Sequence, residues 1–268
     1  MLPNSEAIKK IIQIALILNC KINPEFTWQR KHYNWPDLPK GYQDTVSGSY
    51  SIPCAENGTF EGIRIREVHL EEDPAAWNPE TGCVDYNRSG LPLVEIVTEP
   101  DFTNSEQVVA WLHNLVLALS YIKALDKNAG IKADTNVSLY GERIEVKNVN
   151  SIEAIKETIE YEAKRQETDK PIKKETRRWD DKKKITTKMR EKEDAAEYRF
   201  IPEPDLPIVK IDKKRIQEIK SNLPETPQEK LEKLVKKHKV DKKSAEILHK
   251  NFELAEFFEQ VAEKVDSK

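Results

Sequence analysis

The chain has 268 residues, 38% hydrophobic and 34% charged, with a formal net charge of −3. An average globular chain carries about 45–50% apolar and about 25% charged residues, so much helix surface here must be solvated. Five Trp, eight Tyr and seven Phe nevertheless exclude general disorder, and no apolar run reaches the roughly 18 residues that a membrane-crossing helix needs.

Charge is uneven along the chain. Residues 1–150 carry 14 basic and 20 acidic side chains, and residues 151–268 carry 30 and 27. The first part is suited to holding cations and the second to lying along an anion such as RNA. Cys20, Cys54 and Cys83 form no CxxC pair, so neither zinc nor a disulfide framework is expected, and a reducing, cytoplasmic setting fits.

In chain order, Asn4 caps a helix whose apolar positions Ile8, Ile11, Ile12 and Ala15 recur at helical spacing. Lys9 and Lys10 before IIQIALIL have the look of a signal peptide. The Asn19-Cys20 junction lacks a small cleavage residue, however, and an amphipathic helix is the better reading. RKHYNWPDLPKGYQ (30–43) reads as a structured loop, and Asn57-Gly58 as a hairpin turn. Ile63, Ile65, Val68 and Leu70 alternate on two registers, which predicts a strand with a bulge. LPLVEIVT (91–98) is a second strand. Thr103 with Glu106 makes a capping box for a helix through Ile122.

Asp134–Tyr140 and Arg143–Val149 straddle Gly141 as a hairpin, Asn150 with Glu153 opens a helix to about Gln166, and WDDKKKI (179–185) gives a charged hairpin. Beyond Pro207, Thr226-Pro227 and Asp241 are helix starts. The expected fold is α+β: a mixed or antiparallel sheet body over 1–208, then an all-helical segment over 209–268.

With eight glycines there is no GxxxxGK[ST] or GxGxxG phosphate loop, and HExxH and GxSxG are absent as well. Acidic residues in or beside strands stand out instead: Glu71, Glu72, Asp73, Glu95, Asp134 and Glu145. Two carboxylates about 4 Å apart repel by about 4 kcal/mol at an effective dielectric of about 20. Acids that converge therefore call for a counter-cation, and all-oxygen ligands favour magnesium or calcium over zinc. Pairing of each acid with a neighbouring Lys or Arg is the alternative.

GLPLVEIVTEPDF (90–102), preceded by DYNRS (85–89) and HLEEDPAAW (69–77), resembles the signature of the B subunit of aspartyl/glutamyl-tRNA amidotransferase. RKHYNWPDLPKGYQ (30–43), KADTNVSL (132–139), RIEVKNVNS (143–151) and MREKEDAAEYRFIPEPDLP (189–207) match that family in the same order, with an archaeal cast. The resemblance implies a ligase that forms C–N bonds with glutamine as amido donor. The side-chain carboxylate of Glu-tRNA(Gln) or Asp-tRNA(Asn) would be phosphorylated from ATP and then amidated with ammonia from a glutaminase A subunit, with a C subunit as further partner.

Carried over by position, Glu72, Asp134 and Glu145 match the family's magnesium site, and Lys31 and Tyr33 match the loop lining its pocket. Mg2+ and ATP are thus expected, and zinc is not. Family members begin with a strand carrying Glu-x-His, often followed by paired cysteines. This sequence starts after both, at LPNSEA (2–7), and stops within the helical part. The expectation is a chain truncated at both ends, with an incomplete magnesium site and no activity in isolation. Two other readings remain open: the archaeal E-type subunit, acting on Glu-tRNA(Gln) alone, and a non-catalytic RNA-binding or scaffold remnant.

Overall fold

The computed structural model describes residues 2–78, 80–125, 131–170, 173–189 and 198–265. The stretch 190–197 of the string 189–207 lies outside them. The fold is α+β, as the patterning predicts, and among the described residues no helix is long and apolar enough to cross a membrane.

Helix α1 (Ser5–Ile17) is followed by β1 (Lys21–Ile22), β2 (Glu25–Phe26), β3 (Gln29–Lys31), β4 (Gln43–Thr45), β5 (Ala55–Phe60), β6 (Ile63–Glu72), β7 (Ala76–Trp77), β8 (Val84–Asp85) and β9 (Pro92–Thr98). Next come α2 (Ser105–Tyr121), β10 (Ala133–Val137), β11 (Ile144–Val149), α3 (Ile152–Thr168), β12 (Glu175–Asp180), β13 (Ile185–Lys188), β14 (Ile201–Pro202) and β15 (Val209–Lys210). Helices α4 (Lys213–Ser221), α5 (Pro227–Lys236), α6 (Lys242–Leu248) and α7 (Phe252–Lys264) complete the described chain.

The larger sheet runs β1-β5-β6-β4-β3-β14, with β9 also paired to β6. Long β6 organises it. Strand β5 and then β4 take one edge of β6 in succession, and β9 takes the other, antiparallel throughout. The predicted bulge is present as a register shift between Ile65 and Glu67. The second sheet, β10-β11-β12-β13, is antiparallel except for the β11–β12 pair.

Asn4 caps α1 by accepting from the backbone N–H of Glu6 and Ala7, and Ile8, Ile11 and Ile12 seat the helix in the main core with Val68, Leu70, Phe26 and Val46. Helix α4 joins the same core through Ile219. A second cluster, Ile144, Val146, Val149, Ile155 and Trp179, lies under α3, and Leu112 of α2 packs against both.

Three local expectations need correction. The β5–β6 turn is at Glu61-Gly62, both at positive φ (49° and 79°), and Asn57-Gly58 lies inside β5. Gly58 is required there because a Cβ would collide with Cys20 Sγ and Leu18 O at the end of α1. Helix α2 is capped by Asn104, which accepts from Gln107 N, while the Gln107 side chain accepts from Thr103 N and Oγ1. The expected Thr103–Glu106 box is thus not formed, and Gln107 reaches back to Thr103 in its place. Helix α3 is likewise capped by Ser151 and not Asn150.

Candidate active site

Alternation along β6 sends Val68, Leu70 and Glu72 to one face and Glu67, His69 and Glu71 to the other. The first face carries the core. On the second, His69 is the cross-strand partner of Glu95 in β9, Glu71 is the partner of Thr45 in β4, Thr45 pairs with Gln29, and Gln43 pairs with Lys31 in β3. A band of polar side chains therefore crosses four strands, built from residues that are neighbours only through the ladders.

Glu71, nearly buried, is held by three donors. Thr45 Oγ1 and Ser47 Oγ reach its Oε1 at 2.6 and 3.1 Å, and Gln43 Nε2 reaches its Oε2 at 3.3 Å. His69 sits between Val46 O, 3.3 Å from Nδ1, and Glu67 Oε2, 3.0 Å from Nε2. Glu95 is an exposed residue of β9 whose carboxyl the surrounding protein partly encloses. That enclosure, reinforced by the charge of Glu71 and then those of Asp134 and Glu67, raises its carboxyl to about 7 against the opposing pull of Lys31.

Lys31 places its Nζ 4.9 Å from the centroid of the Tyr198 ring, and Tyr198 meets Tyr33 edge-on at 6.4 Å. Burial, with the negative charges of Asp37 and Glu71, holds the Tyr33 hydroxyl well above the usual phenol range, so it remains a hydrogen-bond donor. Lys31 and Tyr33 thus border the same polar face as Glu71 and Glu95.

The other sequence-predicted residues are placed differently. Glu72 lies on the opposite face from Glu71, 2.6 Å from Lys40 Nζ, which also binds Asp44 at 2.5 Å. Burial would lower the Lys40 ammonium, but its bonds to Asp44 and Glu72 outweigh that and raise it. Asp134 is exposed on β10, and its charge reaches Glu95. Glu145 stands beside Asn136 on the face of the second sheet opposite Ile144 and Val146, accepting from Thr176 Oγ1 at 3.4 Å. Among the described residues no group of three or more His, Cys, Asp or Glu is placed to hold a metal, so Glu72, Asp134 and Glu145 are not brought together.

Magnesium commonly keeps several waters and takes one or two protein carboxylates. Glu71 and Glu95, an oriented carboxylate and one with a raised proton affinity on one sheet face, fit that donor set. Patterning alone does not distinguish Glu71 from Glu72, and it marks neither Thr45 nor Gln43. They gain meaning only once the register is known.

Segment 198–205 is strapped across β3. His32 N donates to Tyr198 O at 2.8 Å, Glu203 N donates to Trp28 O at 3.0 Å, and Arg30 grips Glu203 through Nε (2.6 Å) and Nη2 (3.0 Å). Burial alone would raise Glu203, but Arg30 and the Asp205 backbone N–H overcome it and hold the carboxyl at about 2. The strap thereby delivers Tyr198 to Lys31.

A sheet with one apolar face on helices and one carboxylate-rich face bordered by Lys31 and two tyrosines defines an α+β protein with a polar, open sheet face. Residues 1–217 match the GatB/GatE catalytic domain, and the chain belongs to that family. The B subunit of aspartyl/glutamyl-tRNA(Asn/Gln) amidotransferase from Methanothermobacter thermautotrophicus is 42% identical over 98% of this chain and 59% of its own length. The proteins of the same name from Methanosphaera stadtmanae and Methanocaldococcus jannaschii are 42% and 41% identical, over 99% and 98% of this chain and 59% and 57% of their own. The chain thus spans under three fifths of the length of these relatives.

Proposed function

We propose that this chain acts, in the cytoplasm, as the B subunit of a tRNA-dependent amidotransferase. The proposed reaction turns the side-chain carboxylate of Glu-tRNA(Gln) or Asp-tRNA(Asn) into an acyl phosphate at the expense of ATP, releasing ADP. Ammonia from a glutaminase subunit then attacks the acyl carbon, phosphate leaves, and one proton is given up as the amide forms. Family membership and the name shared by the archaeal relatives support this reading.

The observation that carries it at residue level is the shared face of Lys31, Glu71 and Glu95. Lys31, steered by the Tyr198 ring, supplies a cation for a carboxylate or phosphate oxygen. Tyr33 offers a hydroxyl that keeps its proton. Glu71, oriented by Thr45, Ser47 and Gln43, and Glu95 would hold magnesium, with Asp134 nearby. When bound, the ion would neutralise charge building on the transferred phosphoryl group. Glu72 is engaged with Lys40 and is assigned to the structural support of β4 and β6.

The test reconstitutes the chain with glutaminase A and C subunits and supplies ATP, magnesium, glutamine and Glu-tRNA(Gln) or Asp-tRNA(Asn). Amidated product with matching ADP release, lost in Lys31→Met and Glu71→Gln, supports the reading. Binding of tRNA without any ATP turnover would favour a non-catalytic scaffold instead.

A further inference from the structure

Beside this face stands a surface feature that the reaction as described leaves unused. Trp35 and Trp77 meet edge-on with ring centroids 5.2 Å apart and planes at 71°, and Trp35 leaves 46% of its surface in water. Tyr86, 57% exposed, follows Asp85, which pairs with Ala76 in the β7–β8 ribbon. Exposing indole to water forfeits the burial that normally makes Trp a core residue.

The pair is held firmly. Ala75 N donates to Asp37 O at 2.8 Å, which ties the loop bearing Trp35 to the strand bearing Trp77, and both Leu38 and Ala75 are buried beneath. Asp73 N donates to Leu91 O and Gly90 N to Asp73 O, anchoring the start of that strand to the approach to β9. The two loops also continue directly from the candidate active site, because Trp35 follows Lys31 and Tyr33 in the chain and Trp77 follows Glu71 beyond the end of β6. The aspartates of these loops carry cation partners: Arg88 binds Asp73 at 2.7 Å, and the charge of Lys132 acts on Asp37.

We propose that Trp35 and Trp77 form a stacking platform for the unpaired nucleobases at the aminoacylated 3′ end of the RNA substrate, holding the ester-linked amino acid over the Lys31–Glu95 face. This rests on the function proposed above. Unpaired bases stack on aromatic side chains whatever their sequence, whereas a duplex keeps its base faces covered. A preformed, partly exposed ring pair held by backbone bonds next to the loop of Lys31 and Tyr33 suits that ligand class. Both indoles would act on binding, at a distance from the chemistry.

The probe is a single-stranded RNA tetranucleotide, with a blunt RNA duplex of the same sequence as control, titrated against the full chain while tryptophan emission is followed. Quenching by the single strand and not by the duplex is expected, and the Kd read from the remaining indoles should rise in Trp35→Leu and Trp77→Leu but stay near the wild-type value in Trp35→Phe and Trp77→Phe. In the reconstituted complex, Trp35→Leu should raise the KM for aminoacyl-tRNA about tenfold, the worth of roughly one stacked base, with kcat and the KM for ATP unchanged.

An equal Kd for wild type and both Leu variants overturns the platform, and so does equal quenching by duplex. Shielding of Trp35 from acrylamide by the partner subunits alone, without RNA, would make this a protein interface and also overturn it. The amidation assay is separate. If the wild-type complex makes no amidated product while the strand-specific quench persists, the functional reading fails and the platform stands.

Discussion

Glu95 faces His69 directly across the β6–β9 ladder, and His69 in turn contacts Glu67 on its own strand. A glutamate at that position shares a sheet face with two further acids of β6, and Lys31 supplies the opposing charge. The physical consequence is a carboxyl that holds its proton to about neutral pH.

That relationship makes stability depend on pH with a definite sign. The folded-state value of about 7 lies above the ordinary 4.5, so between those values the folded chain binds more proton than the unfolded one. The stabilising contribution is complete below about pH 4.5 and is lost as pH rises through about 7. Glu95→Gln should flatten this part of the Tm-against-pH curve and raise Tm at about pH 8. An unchanged slope would show that Glu95 titrates normally.

The Arg30–Glu203 grip runs the other way. Glu203 is depressed to about 2, so its contribution is present above about 4.5 and lost as pH falls toward 2. Glu203→Ala removes two charge-assisted hydrogen bonds and leaves Arg30 with the exposed Asp205, so it should lower stability in urea unfolding by roughly 1–2 kcal/mol. A loss under about 0.5 kcal/mol would mean that the strap is held by its backbone bonds alone.

Two glycines separate crowding from backbone strain. At Gly58 a Cβ meets the backbone of Leu18 as well as Cys20, whereas at Gly62 (φ 79°) it meets nothing within 4 Å. Gly58→Ala should cost about 2–3 kcal/mol by overpacking, and Gly62→Ala about 1 kcal/mol from the left-handed conformation. Equal losses would contradict the close approach of β5 to the end of α1.

In the helical part, buried Lys230 meets Glu225 at 2.9 Å, Glu259 at 2.8 Å and also Glu256. Lys230→Met leaves Glu259 buried with Lys233 as its remaining close cation, and should destabilise by about 3 kcal/mol at neutral pH. Calorimetry checks this, and a loss under about 1 kcal/mol would show that the buried glutamate does not depend on Lys230.

Local chemistry makes much of the fold legible. The Asn4 cap, the helix start at Thr226-Pro227 and the apolar period of α1 are each contained within a few turns of sequence, and they appear as read. The Asn57-Gly58 pair misleads because its glycine answers to a distant neighbour, Cys20, and not to its own strand.

The site is harder to read for the same reason. Glu71 and Glu72 are chemically identical neighbours, and only the phase of β6 decides which one joins Glu95. The bulge between Ile65 and Glu67 breaks the alternation by which that phase could be extrapolated from Ile63 and Ile65. Lys31 and Tyr33, marked by resemblance, do border the face, but the donors that orient Glu71 come from strands paired only in three dimensions.

The central claim is that the face shared by Lys31, Glu71 and Glu95 activates a carboxylate with ATP. The most direct measurement is transfer of label from γ-³²P ATP, in the complex reconstituted with this chain, to a hydroxylamine-sensitive acyl phosphate on Glu-tRNA(Gln) or Asp-tRNA(Asn) with glutamine withheld. Label on the aminoacyl group is the expected result, abolished in Glu71→Gln while Glu72→Gln retains most of it. Equal labelling in wild type and Glu71→Gln, or loss confined to Glu72→Gln, would contradict it.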